Sequence, residues 1–251
     1  IAKQFTESDV DVAIGAGLEP FIHRPDSADL TATLIEKGYD VHLDWKTVLN
    51  TTSDKFVGIL PMGDVHRRNE SSNTTAGAAD GAEVCLAAKL AASAETGDAT
   101  HLSEPTVYLE KATTKALDVL SRNNQQGFFL MIESAIIDGY GHNNASEGMI
   151  EEMQEFDGTL KQLVAYVNQH PETLLVVTAD HETGDLKEHS IFKEGFSFLS
   201  ENHTNKDVSI FALGAGTEIF NGAKVENIEL AKFVSSVYSS ESFGMDMSEL
   251  N

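Results

Sequence analysis

Leu174-Leu175-Val176-Val177-Thr178-Ala179-Asp180-His181-Glu182-Thr183-Gly184 is the stretch on which the fold class turns. Four apolar residues run unbroken into a polar segment. A short apolar run bounded in this way is the pattern of a strand covered on both faces. A carboxylate and an imidazole follow at its carboxyl end. Upstream the arrangement recurs: Phe128-Phe129-Leu130-Met131-Ile132 runs into Glu133, with Asp138 and His142 behind it. A third piece, His203-Thr204, precedes a strand-like run at 208–213.

Outward from these motifs, residues 10–14, 39–43 and 56–60 also read as strands, and Gly15-Ala16-Gly17 as a turn. The spacing predicts helices over 30–37, 104–121, 145–169 and 228–237. Ser103 is the expected N-cap of the second, with Pro105 in its first turn. Asn144 and Glu147 resemble a capping box at the start of the third. Met149, Met153, Phe156, Leu160, Leu163, Val164 and Val167 recur along that helix at helical spacing. Strands alternating with helices predict an α/β fold: a mostly parallel central sheet with helices on both faces. Residues 1–251 are expected to form one domain. The stretch 62–102 stands apart, rich in Ala, Gly, Ser, Thr and Asn, and reads as a surface excursion. In open α/β sheets, ligands bind beyond the carboxyl ends of the strands. Glu133 and Asp180 have that position.

Composition narrows the function classes. The chain carries 40 acidic and 17 basic side chains, a net charge of −23. Nucleic-acid binding rests on clustered Lys and Arg, so this balance argues against it. An anion site must be built locally, from metals or backbone N–H groups. No apolar run approaches the roughly 18 residues of a membrane span. Cys85 is the single cysteine, so metal ligands must come mainly from nitrogen and oxygen. Ile1 opens the chain in what reads as a helix interior, and the expectation is a piece of a longer protein.

Asp138 and His142 are four apart, so one helical turn puts both on one face, where they can grip one ion. Asp180 and His181 are adjacent and converge only if a strand-end loop turns them together. His203 can complete a set. Nitrogen and oxygen ligands suit Zn²⁺, and a carboxylate-rich subsite with Glu133 suits Mg²⁺. Each piece alone has a plainer reading as a cap, a turn or a strand reaching water. Repetition across three segments raises the metal reading above it.

These segments resemble the motifs of alkaline phosphatases. Glu133-Ser-Ala-Ile-Ile-Asp138-Gly-Tyr-Gly-His142 is similar to the family's E-G-x-x-I-D-x-x-x-H. Thr178-Ala-Asp180-His181-Glu-Thr-Gly184 is similar to its T-A-D-H-E-T-G-G. His203-Thr204 with Asp207-Val208-Ser-Ile-Phe-Ala-Leu-Gly-Ala-Gly216 is similar to its H-T-G-x-D-V-x-x-F-A-x-G-P-G. The order also agrees, and the resemblance spans most of the chain outside 62–102. It implies that Asp138, His142 and His203 bind one catalytic zinc, Asp180 and His181 a second, and Glu133 a magnesium. The implied reaction is hydrolysis of small phosphomonoesters by way of a phosphoserine. The resemblance further implies a periplasmic or secreted location and leaves a homodimer open. Phosphodiesterases and sulfatases share this metal scaffold and stand as the alternative, beside a metal-binding fragment without activity.

Several family parts have no match here: the serine in its Asp-Ser-Ala elbow, an early shared Asp, a hydroxyl ligand of magnesium and a phosphate-binding Arg. They are expected upstream of Ile1. Arg24-Pro25-Asp26-Ser27-Ala28 contains Asp-Ser-Ala, but no strand leads into it, and a turn is the expected reading. Arg67, Arg68 and Arg122 lack a phosphate-clamp context. Asp185 replaces the second glycine of the family's pair, Asn205 the glycine after His-Thr, and Ser134 the glycine after Glu133. The short interval between His181 and His203 leaves little room for the insertion that many relatives carry there.

Overall fold

A computed structural model of the chain describes residues 1–60, 108–122, 125–188, 195–220 and 224–238. They divide into two compact units, Ile1–Leu160 and Lys161–Asn251. The expectations for Ser103, for Arg67 and Arg68 and for the 62–102 stretch lie outside the described residues.

In the first unit, β1 (Val12–Ala16), β2 (Asp40–His42) and β3 (Phe56–Leu60) form a parallel sheet in the order β1-β3-β2. Val12 pairs with Phe56 and Ala16 with Leu60, while Asp40 also faces Phe56. The central strand β3 is buried throughout. Its alternation divides the core in two. Phe56 and Leu60 pack with Val48, Tyr108 and Val119 on one face. Val57 and Ile59 pack with Leu34 and Tyr39 on the other, flanked by Phe5 and Phe21. Helices therefore cover both faces, as the sequence predicts. They are α1 (Ala2–Glu7), α2 (Glu19–Ile22) and α3 (Leu30–Glu36) on one side, α4 (Trp45–Asn50) and α5 (Tyr108–Leu120) on the other.

Local chemistry fixes the helix ends. Asp29 caps α3 by accepting from the backbone N–H of Thr31 at 2.9 Å and of Ala32 at 3.3 Å. Asp44 caps α4 through the N–H of Thr47 at 2.9 Å. At the other end of α4, the buried Lys115 of α5 donates to the carbonyls of Thr51 at 2.6 Å and Leu49 at 3.3 Å. A cation there satisfies orphan carbonyls and complements the helix dipole.

Two expectations need correction here. Residues 128–132 form no strand. Burial alternates along them, and Phe129 and Met131 stay 59% and 76% exposed. No neighbouring strand among the described residues supplies a hydrogen-bond ladder, so the run has no regular secondary structure. Asn144 does not cap the long helix, for its φ of 51° lies in the left-handed region. An N-cap residue takes extended backbone angles instead. The chain then turns through α6 (Ile136–His142) into α7 (Ser146–Gln169).

In the second unit, β4 (Leu174–Val177) pairs with β9 (Phe211–Gly214), and the pairing is antiparallel. The parallel sheet is thus small, and the strands behind the Asp180 motif belong to a separate ladder. Gly214 has a φ of 100°, and a Cβ there would lie 2.0 Å from the Thr173 carbonyl oxygen, so only glycine fits. Short antiparallel ladders join β5 (Glu182–Thr183) to β8 (His203–Thr204) and β6 (Lys187–Glu188) to β7 (Phe196–Ser197). A 3₁₀ turn, Thr217–Phe220, leads on to α8 (Asn227–Val237). Among the described residues no helix is long and apolar enough to cross a membrane.

Candidate metal centre

Helix α6 carries the first pair of site residues. Asp138 lies in its first turn and His142 ends it, so the four-residue spacing brings them together as the sequence predicts. His142 Nε2 lies 3.4 Å from Asp138 Oδ2. Both are half-buried. The helix is held by a close approach: Tyr140 packs over Gly148 at the start of α7, where a Cβ would come within 2.2 Å of the ring. Glu133 precedes α6 in the irregular segment and is exposed. Nothing among the described residues pairs with it.

The second unit gathers its own set. Asp180 and His181 follow β4 by a short loop, which leaves Asp180 exposed and His181 half-buried and brings the two side chains together. His181 Nε2 lies 3.3 Å from Asp180 Oδ2. The ladder of β5 and β8 then does what sequence spacing could not reveal. Pairing Thr183 with His203 and Glu182 with Thr204 lays the third motif beside the second. The ring of His203 stacks on that of His181, centroids 3.6 Å apart and planes 24° apart.

The residues fit a zinc site in their donor chemistry and spacing. Two ligands held about 2.0–2.2 Å from a tetrahedral zinc lie about 3.3–3.6 Å apart. The oxygen–nitrogen separations of 3.4 Å and 3.3 Å match that spacing.

Several supporting residues carry no signal in the motif reading. Thr183 is buried, and its Oγ1 meets His181 Nδ1 at 3.2 Å, fixing the ring with Nε2 toward Asp180. Hydrogen bonds of this kind orient metal-binding histidines. Asn227 Nδ2 donates to the Asp180 carbonyl at 2.8 Å. Glu182 accepts from the Thr204 hydroxyl and, at 2.9 Å, from the Leu186 N–H. Desolvation pushes the Glu182 carboxyl upward. The Thr204 and Leu186 hydrogen bonds and the Lys206 charge outweigh that, so it sits below its ordinary value. The signal that could have been read is the alternation His181, Thr183, which places both on one side of an extended strand.

The decoy at Ser27 is a turn. Asp26 Oδ1 accepts from the Ala28 N–H at 3.2 Å, Arg24 pairs with the same carboxylate, and Ser27 takes a φ of 57° between them. No strand enters it, since α2 precedes it.

The sequence model of a protein family described as alkaline phosphatase matches residues 1–193. Alkaline phosphatase 3 of Bacillus subtilis is 36% identical over 94 residues, 37% of this chain and 20% of that protein. Among solved structures, the alkaline phosphatase of the Antarctic bacterium TAB5 is 26% identical with a TM-score of 0.69, covering 96% of this chain and 64% of that one. A variant of the TAB5 enzyme, solved with Mg bound in its M3 site, is 25% identical with a TM-score of 0.67. The matched stretches cover less than two thirds of these relatives. The chain belongs to the alkaline phosphatase family.

Proposed function

We propose that this chain supplies metal ligands to a zinc- and magnesium-dependent phosphomonoester hydrolase that works through a phosphoserine. Asp138, His142 and His203 would hold one zinc, Asp180 and His181 the second, and Glu133 a magnesium. The reading of residues 1–251 as one alkaline phosphatase-like α/β domain, a periplasmic or secreted location and a homodimer belong to the same proposal.

The observation that carries it is the stack of His181 on His203. Paired metals in phosphate-ester hydrolases lie about 3.5–4 Å apart. Two imidazoles at 3.6 Å can each serve one of two ions at that spacing. Bound there, zinc would stabilise the attacking and leaving oxygens of an in-line displacement. The chain's own residues orient the ligands: Thr183 holds His181 through Nδ1, and Asn227 holds the Asp180 backbone. The acidic surface does not steer phosphate esters inward. Capture then depends on the metals and on groups near them.

A second reading is favoured by Ser27. The single Asp-Ser-Ala of the chain lies on a turn without an elbow, so residues 1–251 by themselves bind metal without turning over phosphomonoesters. Zinc titration of purified residues 1–251, followed by p-nitrophenyl phosphate hydrolysis, tests both. Zinc uptake with negligible turnover is expected. No zinc uptake sinks the metal reading, and zinc-dependent turnover sinks the claim that the nucleophile lies elsewhere.

A further inference from the structure

Asp185 stands where the second unit is tied together. Asp185 has a φ of 48°, in the left-handed region that glycine occupies without strain. A carboxylate kept at such a place costs backbone energy. Its partner is Lys206, whose Nζ pairs with Asp185 Oδ1 and donates to the Leu186 carbonyl at 3.3 Å. Both side chains are partly exposed, 33% for Asp185 and 47% for Lys206. Ion pairs at that exposure contribute little to stability. Stability therefore does not explain a carboxylate in this backbone conformation.

What the pair does is join two arms. Asp185 sits four residues after His181, and Lys206 three after His203. Between them run the Glu182–Thr204 hydrogen bond, the Lys206 N–H to Thr204 Oγ1 at 3.4 Å, and the Gly184 N–H to the Asn202 carbonyl at 3.1 Å. The first and last of these span the two arms, the second tightens the Lys206 arm on itself, and the two histidine rings stack at the junction. The pair also holds the Lys206 ammonium beside Asp185 and Glu182, and the Asp185 hydrogen bond foremost raises the lysine above its ordinary pKa.

We propose that Asp185 and Lys206 form a positioning clamp that sets His181 against His203. The clamp rests on the metal-binding reading of those histidines, but it acts on the arms whether or not metal is present. It touches no reacting atom. It fixes the spacing of two ligands.

The test compares residues 1–251 with D185G, K206M and K206R by three measurements. The first is the ring-current displacement of the His181 and His203 C2 protons in metal-free NMR spectra. The second is zinc affinity by competition with a chromophoric chelator. The third is Tm. D185G removes the carboxylate and relaxes the backbone, so its Tm is expected to hold or rise while the displacement disappears. K206M is expected to lose the displacement as well, and K206R to keep it. Zinc affinity is expected to fall about tenfold in D185G and K206M. Unchanged histidine signals in D185G and K206M overturn the clamp, as does a loss in D185G that runs in step with a falling Tm. If the unsubstituted chain takes up no zinc, the metal reading fails, and the metal-free signals still decide the clamp.

Discussion

The imidazole of His181 lies face to face with that of His203, 3.6 Å between centroids, although the two belong to different motifs. The β5–β8 ladder brings the two motifs side by side, and the Thr183 hydroxyl fixes the His181 ring from behind at 3.2 Å. Thr183→Val keeps the shape of this buried side chain and removes the hydroxyl. Zinc affinity is expected to fall about 10- to 100-fold with little change in fold. A chelator-competition isotherm alongside a circular dichroism spectrum checks it, and an unchanged affinity would leave Thr183 with packing alone.

Gly148, at the start of α7, is the counterpart for α6, the helix that carries Asp138 and His142. An alanine Cβ would stand 2.2 Å from Tyr140 Cε1 and 2.5 Å from Cζ, so the ring must move. Tyr140 sits between the two ligands on α6. The better helix propensity of alanine offsets the clash only in part. Gly148→Ala is expected to cost about 1–3 kcal/mol by overpacking. Urea unfolding measures it, and a stabilised variant would show that Tyr140 is free to swing away.

Acid stability should depend on the helix cap at Asp29. Hydrogen bonding to Thr31, then to the backbone of Ala32, holds this carboxyl below its ordinary value of 3.8. A carboxyl lowered by folding stabilises the fold above the unfolded value. That contribution disappears as pH falls through the folded value. Asp29→Asn keeps a capping oxygen without the charge. Its Tm should therefore decline less steeply below pH 4 than that of the unsubstituted chain. Parallel pH profiles would remove Asp29 from the account.

At the alkaline end, Tyr108 is the group to watch. Burial foremost, and Glu155 nearby, push its hydroxyl up to about 12 from an ordinary 10.0. The sign is opposite to that of Asp29: the contribution is whole below pH 10 and is lost as pH rises through about 12. No hydrogen-bond partner for the hydroxyl lies among the described residues. Tyr108→Phe should then be neutral or stabilising at pH 7 and should flatten the alkaline loss. Absorbance at 295 nm follows the ionisation. A tyrosine titrating at 10 in the folded state would contradict it.

Much of this was legible in the chain. Strand β3 lies where its apolar run predicts, because a strand covered on both faces needs apolar residues at every position. The Asp138–His142 pair follows from helical spacing, and the Asp180–His181 pair from a strand end. The run 128–132 misled, because an apolar stretch states a preference for burial and not the presence of a partner. Phe129 and Met131 remain open to solvent. The direction of the β4–β9 ladder was not readable either, since parallel and antiparallel neighbours ask for the same apolar side chains.

The sequence by itself determined the family and the identity of the proposed ligands, because ligand chemistry resides in residue types and short spacings. Only the tertiary structure decided that His203 meets His181, that Thr183 holds a ring and that Asp185 finds Lys206. Those contacts depend on strand register, and register is set by backbone pairing between segments distant in sequence.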